Sequence, residues 1–262
     1  MIPIALTIAG SDPSGGAGLQ ADLKTFHQFG VYGEAVVTLV TVQNTVRVSR
    51  VEVLPAGLVI EQIEAVLEDI PPAAAKTGAL GSPEVVSAVA RAAAAFQFPL
   101  VVDPVMVSKH GLPLAAEEAV RAIRAELLPR AALVTPNVPE AEALAGIRVR
   151  SREDMLRAAR AIQGAGAGAV LVKGGHLEGD ATDLLLDRSG AVHEFPGERI
   201  PTNHTHGTGC TYSAAIAAGL ARGLDLYAAV ARAKRFIQEA IRTNPGLGRG
   251  SGPVNHHTPA GS

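Results

Sequence analysis

Residues 4–29 read IALTIAGSDPSGGAGLQADLKTFHQF. Residues 4–9 form a short apolar block of the kind a buried strand needs. Gly10-Ser11-Asp12-Pro13-Ser14-Gly15-Gly16-Ala17-Gly18 is too rich in glycine and turn formers to continue it, and residues 19–29 carry helical spacing. The same strand–turn–helix unit recurs along the chain. Strands are expected at 36–42, 73–77, 99–103, 132–135 and 169–173, with helices at 82–96, 115–127 and 152–163. After Asp180 two alternating runs, 182–187 and 192–195, flank Ser189-Gly190 and read as a hairpin at a sheet edge. Helices at 208–221 and 226–242 follow, then a Gly/Pro/His-rich tail. Strands alternating with helices predict a mostly parallel α/β sheet covered on both faces, with ligands at the C-terminal strand ends. The Gly/Ala tract at 164–168 fits inside one tight connection, and no repeat or linker divides the chain, so a single domain over 1–262 is expected.

Composition narrows the partners. Of 262 residues, 23 are basic and 25 acidic, a net charge of −2 that argues against a nucleic-acid partner. Hydrophobic residues at 47% against 18% charged exclude disorder over most of the chain, and aromatics at 3% leave the core to Ala, Val, Leu and Ile. Met1-Ile2-Pro3-Ile4 lacks the basic region of a signal peptide. No apolar run approaches the roughly 18 residues a membrane span needs. Cys210, the single cysteine, forms no internal disulfide and no thiolate zinc cage, and the expected compartment is the cytoplasm.

The strand ends and the loops beyond them hold the candidate chemistry. His206-Gly207-Thr208-Gly209-Cys210-Thr211 precedes an apolar helix. Its glycines let successive N–H groups point outward at a positive helix end, a nest suited to a phosphoryl group. A cysteine in a first helical turn is expected to have a lowered pKa and to act as base or nucleophile. The plainer reading is a glycine N-cap beside a structural cysteine. The loop 10–18 matches neither G-x-x-x-x-G-K-[ST] nor G-x-G-x-x-G, so with Asp12 and Asp22 it either holds a small polar substrate or merely allows close packing. Asp103 ends one strand, and Asn137 and Glu140 follow another. Oxygen donors at strand tips suit a Mg²⁺–nucleotide complex, while the Asn137/Glu140 spacing equally suits a helix cap. Lys173 ends a further strand and either neutralises phosphate or stands in solvent. No two of the 8 histidines have zinc-site spacing, and G-x-S-x-G is missing, which removes the commonest metalloprotease and serine-hydrolase readings.

Taken together, the residues resemble the hydroxymethylpyrimidine/phosphomethylpyrimidine kinases of thiamine biosynthesis, within the ribokinase-like superfamily. The resemblance rests on 5–18 with Gln20-Ala21-Asp22-Leu23-Lys24-Thr25-Phe26, on Gln43-Asn44-Thr45 and on Asp103-Pro104-Val105-Met106. It continues through Thr135-Pro136-Asn137, Pro139-Glu140-Ala141, Lys173-Gly174-Gly175-His176, 205–211 and Gly252-Pro253-Val254-Asn255-His256. It implies a three-layer α/β/α sandwich, mostly parallel with an antiparallel edge hairpin, that phosphorylates 4-amino-5-hydroxymethyl-2-methylpyrimidine to the monophosphate and then the diphosphate. By the same resemblance, Gly207, Thr208, Gly209 and Cys210 form the anion hole, and Cys210 takes the proton. Asp22 and Gln43 bind the pyrimidine, with Gly10, Ala79 and Val105 lining its pocket. Asp103, Asn137, Lys173 and Thr208 serve ATP, Asp103 and Glu140 serve Mg²⁺, and the protein is a homodimer. The sequence departs from the pattern at His204, where Asn is expected, and at Ala79, where some relatives carry a bulkier residue. The alternatives are a vitamin B6 kinase of the same fold, a pyrimidine-phosphate-binding regulator, and a cysteine hydrolase using His206.

Overall fold

The computed structural model describes residues 2–106, 117–177, 179 and 181–261. Nine strands form one sheet: β1 (Ile4–Ser11), β2 (Tyr32–Gln43), β3 (Val48–Val53), β4 (Ala74–Thr77), β5 (Leu100–Val102), β6 (Leu133–Val134), β7 (Val170–Val172), β8 (Asp183–Leu186) and β9 (Val192–Phe195). Their order is β3-β2-β1-β4-β5-β6-β7-β8-β9. The segment from β2 to β7 is parallel throughout; β3 pairs antiparallel with β2, and β8 and β9 close the other edge antiparallel. The helices are α1 (Gly18–Gln28), α2 (Ala56–Asp69), α3 (Pro83–Ala93), α4 (Glu117–Ala122), α5 (Val138–Ala145), α6 (Arg152–Gly164), α7 (Thr208–Ala221) and α8 (Leu226–Arg242). This is the expected three-layer α/β/α sandwich with its edge hairpin.

Strand alternation sorts the core into two layers. Leu6, Ile8, Leu100, Val102, Val134, Val170 and Val172 pack with residues of α2, α3, α5 and α6 on one face. Ala5, Val101, Leu133 and Leu171 pack with Ala214–Ala218 of α7 and with Phe236 of α8 on the other. Because successive side chains alternate, Thr7 in the middle of β1, and Lys76, Asp103 and Lys173 at or just beyond the ends of β4, β5 and β7, fall on the α7 face. The small residues of α7 bring that helix close to the sheet, where it is buried at nine consecutive positions, 211–219.

Several expectations need correction. Neither β3 nor α2 was anticipated, although Val48, Val51 and Val53 are spaced apart by polar residues and α2 buries Val59 and Ile63 one turn apart. Helix α5 occupies a stretch read only as a possible cap. The helix expected at 115–127 begins outside the described residues, gives way after Ala122 to a π-helical turn at Ile123–Leu127, and ends in a 3₁₀ turn containing Pro129. Proline lacks an N–H and clashes with the preceding turn, so the α-helical ladder cannot continue there.

Candidate active site

The helix starts divide into two kinds. Helices α3, α5, α6 and α8 each begin on a side-chain cap, from Ser82, Asn137, Ser151 and Asp225. Helices α1, α2 and α7 have none: their N-caps are Ala17, Pro55 and Gly207. The first N–H groups of a helix have no intrahelical acceptor. At α7 the Thr208 N–H turns back to the Thr205 carbonyl at 3.3 Å, and those of Gly209 and Cys210 remain for a ligand. Of these, the starts of α1 and α7 meet. Gly207 has φ +79°, and a Cβ there would overlap the carbonyl oxygen of Gly16 in the loop before α1. Gly18 N–H points at the Cys210 sulfur.

Beneath these ends lies a layer of charge. Lys76 and Asp22, both without exposed side-chain surface, pair at 2.8 Å, and Thr7 Oγ1 donates to the same Asp22 oxygen at 2.6 Å. The other oxygen, Oδ1, is buried without a partner. Burial works against the Lys76 charge, but the Asp22 carboxylate, reinforced by Asp103, holds it firmly protonated. Asp103 pairs with Lys173 at 3.0 Å and accepts from Thr135 at 3.2 Å and from Ser213 of α7 at 3.3 Å. Burial alone would raise its pKa; the Lys173 and Lys76 charges outweigh it and hold it low. A Cβ on Gly209 would stand 3.3 Å from the Lys173 ammonium and 3.7 Å from Asp103 Oδ2, so this ion pair sits directly under the start of α7.

Asn137 and Glu140 are the cap that their spacing allowed: Asn137 N–H donates to Glu140 Oε2 at 2.8 Å, and Glu140 N–H donates to Asn137 Oδ1 at 2.9 Å. They also face the site, because Asn137 bridges to Lys173 in parallel register. Burial, helped by the Asp103 charge and opposed by Lys173, pushes the Glu140 carboxyl up to about 7. Cap and site are therefore one structure. Lys173 is held in an ion pair and does not stand in solvent.

Cys210 corrects the sequence expectation. Burial pushes its thiol up to about 11; Lys76 opposes that, while Asp22 and Asp103 reinforce it. Desolvation and neighbouring carboxylates thus outweigh the helix end, and the resting side chain is a thiol. In the loop 10–18, the Asp12 carboxylate accepts from the loop's own Ser14, Gly16 and Ala17 N–H groups and from His206. Gln43 also faces Asp12. Gly10 packs on Leu39, the Ala79 carbonyl accepts from Thr38 at 2.6 Å, and Val105 N–H turns back to the Asp103 carbonyl at 2.9 Å. The His204 ring packs against Gly252 with Nδ1 unpartnered. Sequence reasoning missed Lys76 and Thr7; the signal available was a lone lysine inside the small, apolar run Ala73–Leu80. The His206 ring is engaged by Asp12 through Nε2 at 2.8 Å.

A parallel sheet whose strand tips carry paired lysines and carboxylates beneath two uncapped, glycine-lined helix starts defines a phosphotransferase of the ribokinase-like fold. Comparison with known proteins agrees. The family model for phosphomethylpyrimidine kinase matches residues 12–255. The hydroxymethylpyrimidine/phosphomethylpyrimidine kinase of Synechococcus elongatus is 46% identical over 98% of this chain and 98% of its own. The thiamine biosynthesis bifunctional protein ThiED of Geobacter sulfurreducens is 50% identical over 96% of this chain, which spans about half (51%) of that protein. Among solved structures, Bacillus subtilis pyridoxal kinase in an ADP complex superposes with TM-score 0.91 at 37% identity, covering 98% of each chain. Clostridium difficile phosphomethylpyrimidine kinase superposes with TM-score 0.81 at 44% identity, covering 91% of this chain and 99% of that one. The chain belongs to the phosphomethylpyrimidine kinase family.

Two predictions follow from the buried charges. Lys76→Met leaves Asp22 buried and unpaired, so chemical denaturation should show a loss of about 3–5 kcal/mol. The double variant Lys76→Met/Asp22→Asn should recover most of that loss; additive losses would show that the two charges do not depend on each other. At Glu140, a pKa raised from 4.5 to about 7 means the folded state holds the proton more tightly, so stability falls as pH climbs through that interval. Glu140→Gln keeps the acceptor for Asn137 N–H without the charge. Its Tm should match the parent at pH 5 and exceed it by roughly 2–4 °C at pH 8.5, with activity reduced; an equal pH dependence of Tm in both proteins would contradict the assignment.

Proposed function

We propose that the protein transfers the γ-phosphoryl group of ATP to the hydroxymethyl oxygen of 4-amino-5-hydroxymethyl-2-methylpyrimidine, and then a second phosphoryl to the monophosphate, as a step of thiamine biosynthesis. The observation that carries this reading is the pair of free amides, Gly209 and Cys210, at the uncapped start of α7, directly above the Lys173–Asp103 pair. In phosphoryl transfer the transition state is loose, so the protein's work is alignment and charge stabilisation. The α7 amides steady the moving phosphoryl, and Lys173 offsets its charge. Thr208, in the same turn, and Asn137, beside Lys173, stand on the nucleotide side. Unpartnered Asp22 Oδ1 is an acceptor suited to the exocyclic amine of the pyrimidine, and the Gln43 amide can both donate to and accept from a heteroaromatic edge. Gly10, Ala79 and Val105 line the ring's pocket.

Asp103 and Glu140 supply hard oxygen donors that influence each other's ionisation. Two carboxylates without a third acidic, histidine or cysteine ligand among the described residues fit Mg²⁺, which keeps waters and shares itself with phosphates. Bound there, the ion would neutralise charge on the phosphate oxygens. Asp103, Glu140, Lys173 and Cys210 together support a working kinase over a regulator that only binds. Relatives named for the pyrimidine reach 44–49% identity, against 37% for the pyridoxal kinases, which favours the pyrimidine over B6 vitamers. No helix among the described residues is long and apolar enough to cross a membrane. Action in the cytoplasm, as one domain, fits that. Exposed Tyr32, Val40 and Val42 of β2 suit a homodimer.

ATP turnover with the hydroxymethylpyrimidine, read by product mass, tests the proposal. One and then two added phosphates are expected, with kcat/KM well above that on pyridoxal; the reverse preference would overturn it. Cys210 gives a sharper outcome. The hydroxymethyl acceptor must lose a proton, whereas the monophosphate acceptor is already an anion. Because burial holds the thiol near 11, thiolate is the minor form at neutral pH and rises tenfold per pH unit. The single-turnover rate of the first transfer should climb with pH and fall strongly in Cys210→Ala and Cys210→Ser, while the second transfer is flatter and less affected. Equal losses in both transfers would contradict proton acceptance by Cys210.

A further inference from the structure

Asp12 and His206 lie 194 positions apart in sequence and meet at 2.8 Å, both almost wholly buried. The Asp12 carboxylate is saturated. Oδ1 accepts from Ser14 N–H at 2.8 Å and Ser14 Oγ at 2.7 Å; Oδ2 accepts from Gly16 N–H at 3.2 Å, Ala17 N–H at 2.9 Å and His206 Nε2. Burial alone would raise its pKa, but hydrogen bonds from His206 and Ser14 hold it well below the usual carboxylate range. His206 is fixed from its own main chain as well: its N–H donates to the Gly252 carbonyl at 3.0 Å, and its carbonyl accepts from Val254 N–H at 3.3 Å. Its ring edge lies against Gly16, one residue before the N-cap of α1, and the residue after His206 is the N-cap of α7. One hydrogen bond therefore joins the two loops at the point where α1 and α7 begin.

We propose that Asp12 and His206 are positioning residues that clamp the loop before α1 to the anion-hole loop, so that the amides of Gly209 and Cys210 and the N–H of Gly18 are aimed at one place before substrates arrive. Neither side chain touches the reacting atoms: Asp12 is filled by the loop's own donors, and His206 Nε2 is filled by Asp12. The clamp does its work by preorganisation. Donors held in place need no rearrangement as charge develops on the phosphoryl group, and a displacement of about 1 Å costs on the order of a hundredfold in rate. The proposal rests on the kinase reading above for its catalytic consequence, though not for its structural one.

The experiment compares the full-length parent with His206→Ala, His206→Asn, His206→Gln, Asp12→Asn and the double Asp12→Asn/His206→Ala. Gln places an amide N–H near the position of His Nε2, whereas Asn falls short of Asp12. With ATP and the hydroxymethylpyrimidine, His206→Ala and Asp12→Asn should lower kcat by roughly 10- to 100-fold, with either KM changed by less than about threefold. His206→Gln should regain most of the kcat, His206→Asn should not, and the double variant should be no slower than the slower single. A loss confined to KM, equal behaviour of Gln and Asn, or multiplied losses in the double variant would each overturn the clamp. Since Cys210 is the single cysteine, its alkylation by iodoacetamide reports the loop without any substrate. Alkylation should accelerate several-fold in His206→Asn and stay near the parent rate in His206→Gln; unchanged rates in both, with melts showing both folded, would overturn the proposal. A parent that fails to phosphorylate the pyrimidine would overturn the kinase reading alone, because the alkylation result still decides the clamp.

Discussion

Two backbones touch where neither can carry a side chain: Gly207, at the start of α7, rests on the carbonyl of Gly16, just before α1. Everything at the site depends on that contact. It brings together two helix ends that lack side-chain caps, so their free N–H groups and the positive ends of two helix dipoles face a common volume. Concentrating partial positive charge in this way is unfavourable in the empty protein, and the Asp12 carboxylate, tied to both loops, offsets part of it.

Under the helix ends, the geometry of a pleated sheet does the rest. Side chains on a strand alternate and neighbouring parallel strands are in register, so single polar residues in β1 and at the tips of β4, β5 and β7 reach the same face. Thr7, Lys76, Asp103 and Lys173 arrive this way, and α7, built of small residues, packs closely over them. Both lysines are committed to carboxylates in the resting protein. Their charge is thereby kept in a low-dielectric place, where it acts more strongly on an incoming phosphate than it would in water. The same burial explains the thiol of Cys210: desolvation and the neighbouring carboxylates prevail over Lys76.

The sequence made the architecture legible because buried parallel strands are nearly continuous apolar runs and the helices between them keep a clear period. Helices α7 and α8 have the bounds their patterns implied. Strand β3 was missed because it lies at an edge, where polar residues are interspersed with valines and the run is short; α2 was missed because its turns bury only Val59 and Ile63 fully. Of the site, the anion-hole loop, Asp103 and Lys173 could be read from composition and position. Lys76 could not, because one lysine in an apolar run says nothing of the aspartate that pairs with it from a helix 54 positions away. The partner of His206 was likewise hidden, since a hydrogen bond across 194 residues leaves no local pattern.

The account stands on the claim that the start of α7 is where the transferred group is held. A crystal structure of the protein with ADP, an aluminium fluoride mimic of the phosphoryl group and the hydroxymethylpyrimidine tests it directly. The mimic should accept hydrogen bonds from the amides of Gly209 and Cys210, with the hydroxymethyl oxygen beside the Cys210 sulfur and Lys173 turned toward the nucleotide. A mimic bound elsewhere, with those two amides left to water, would contradict the account.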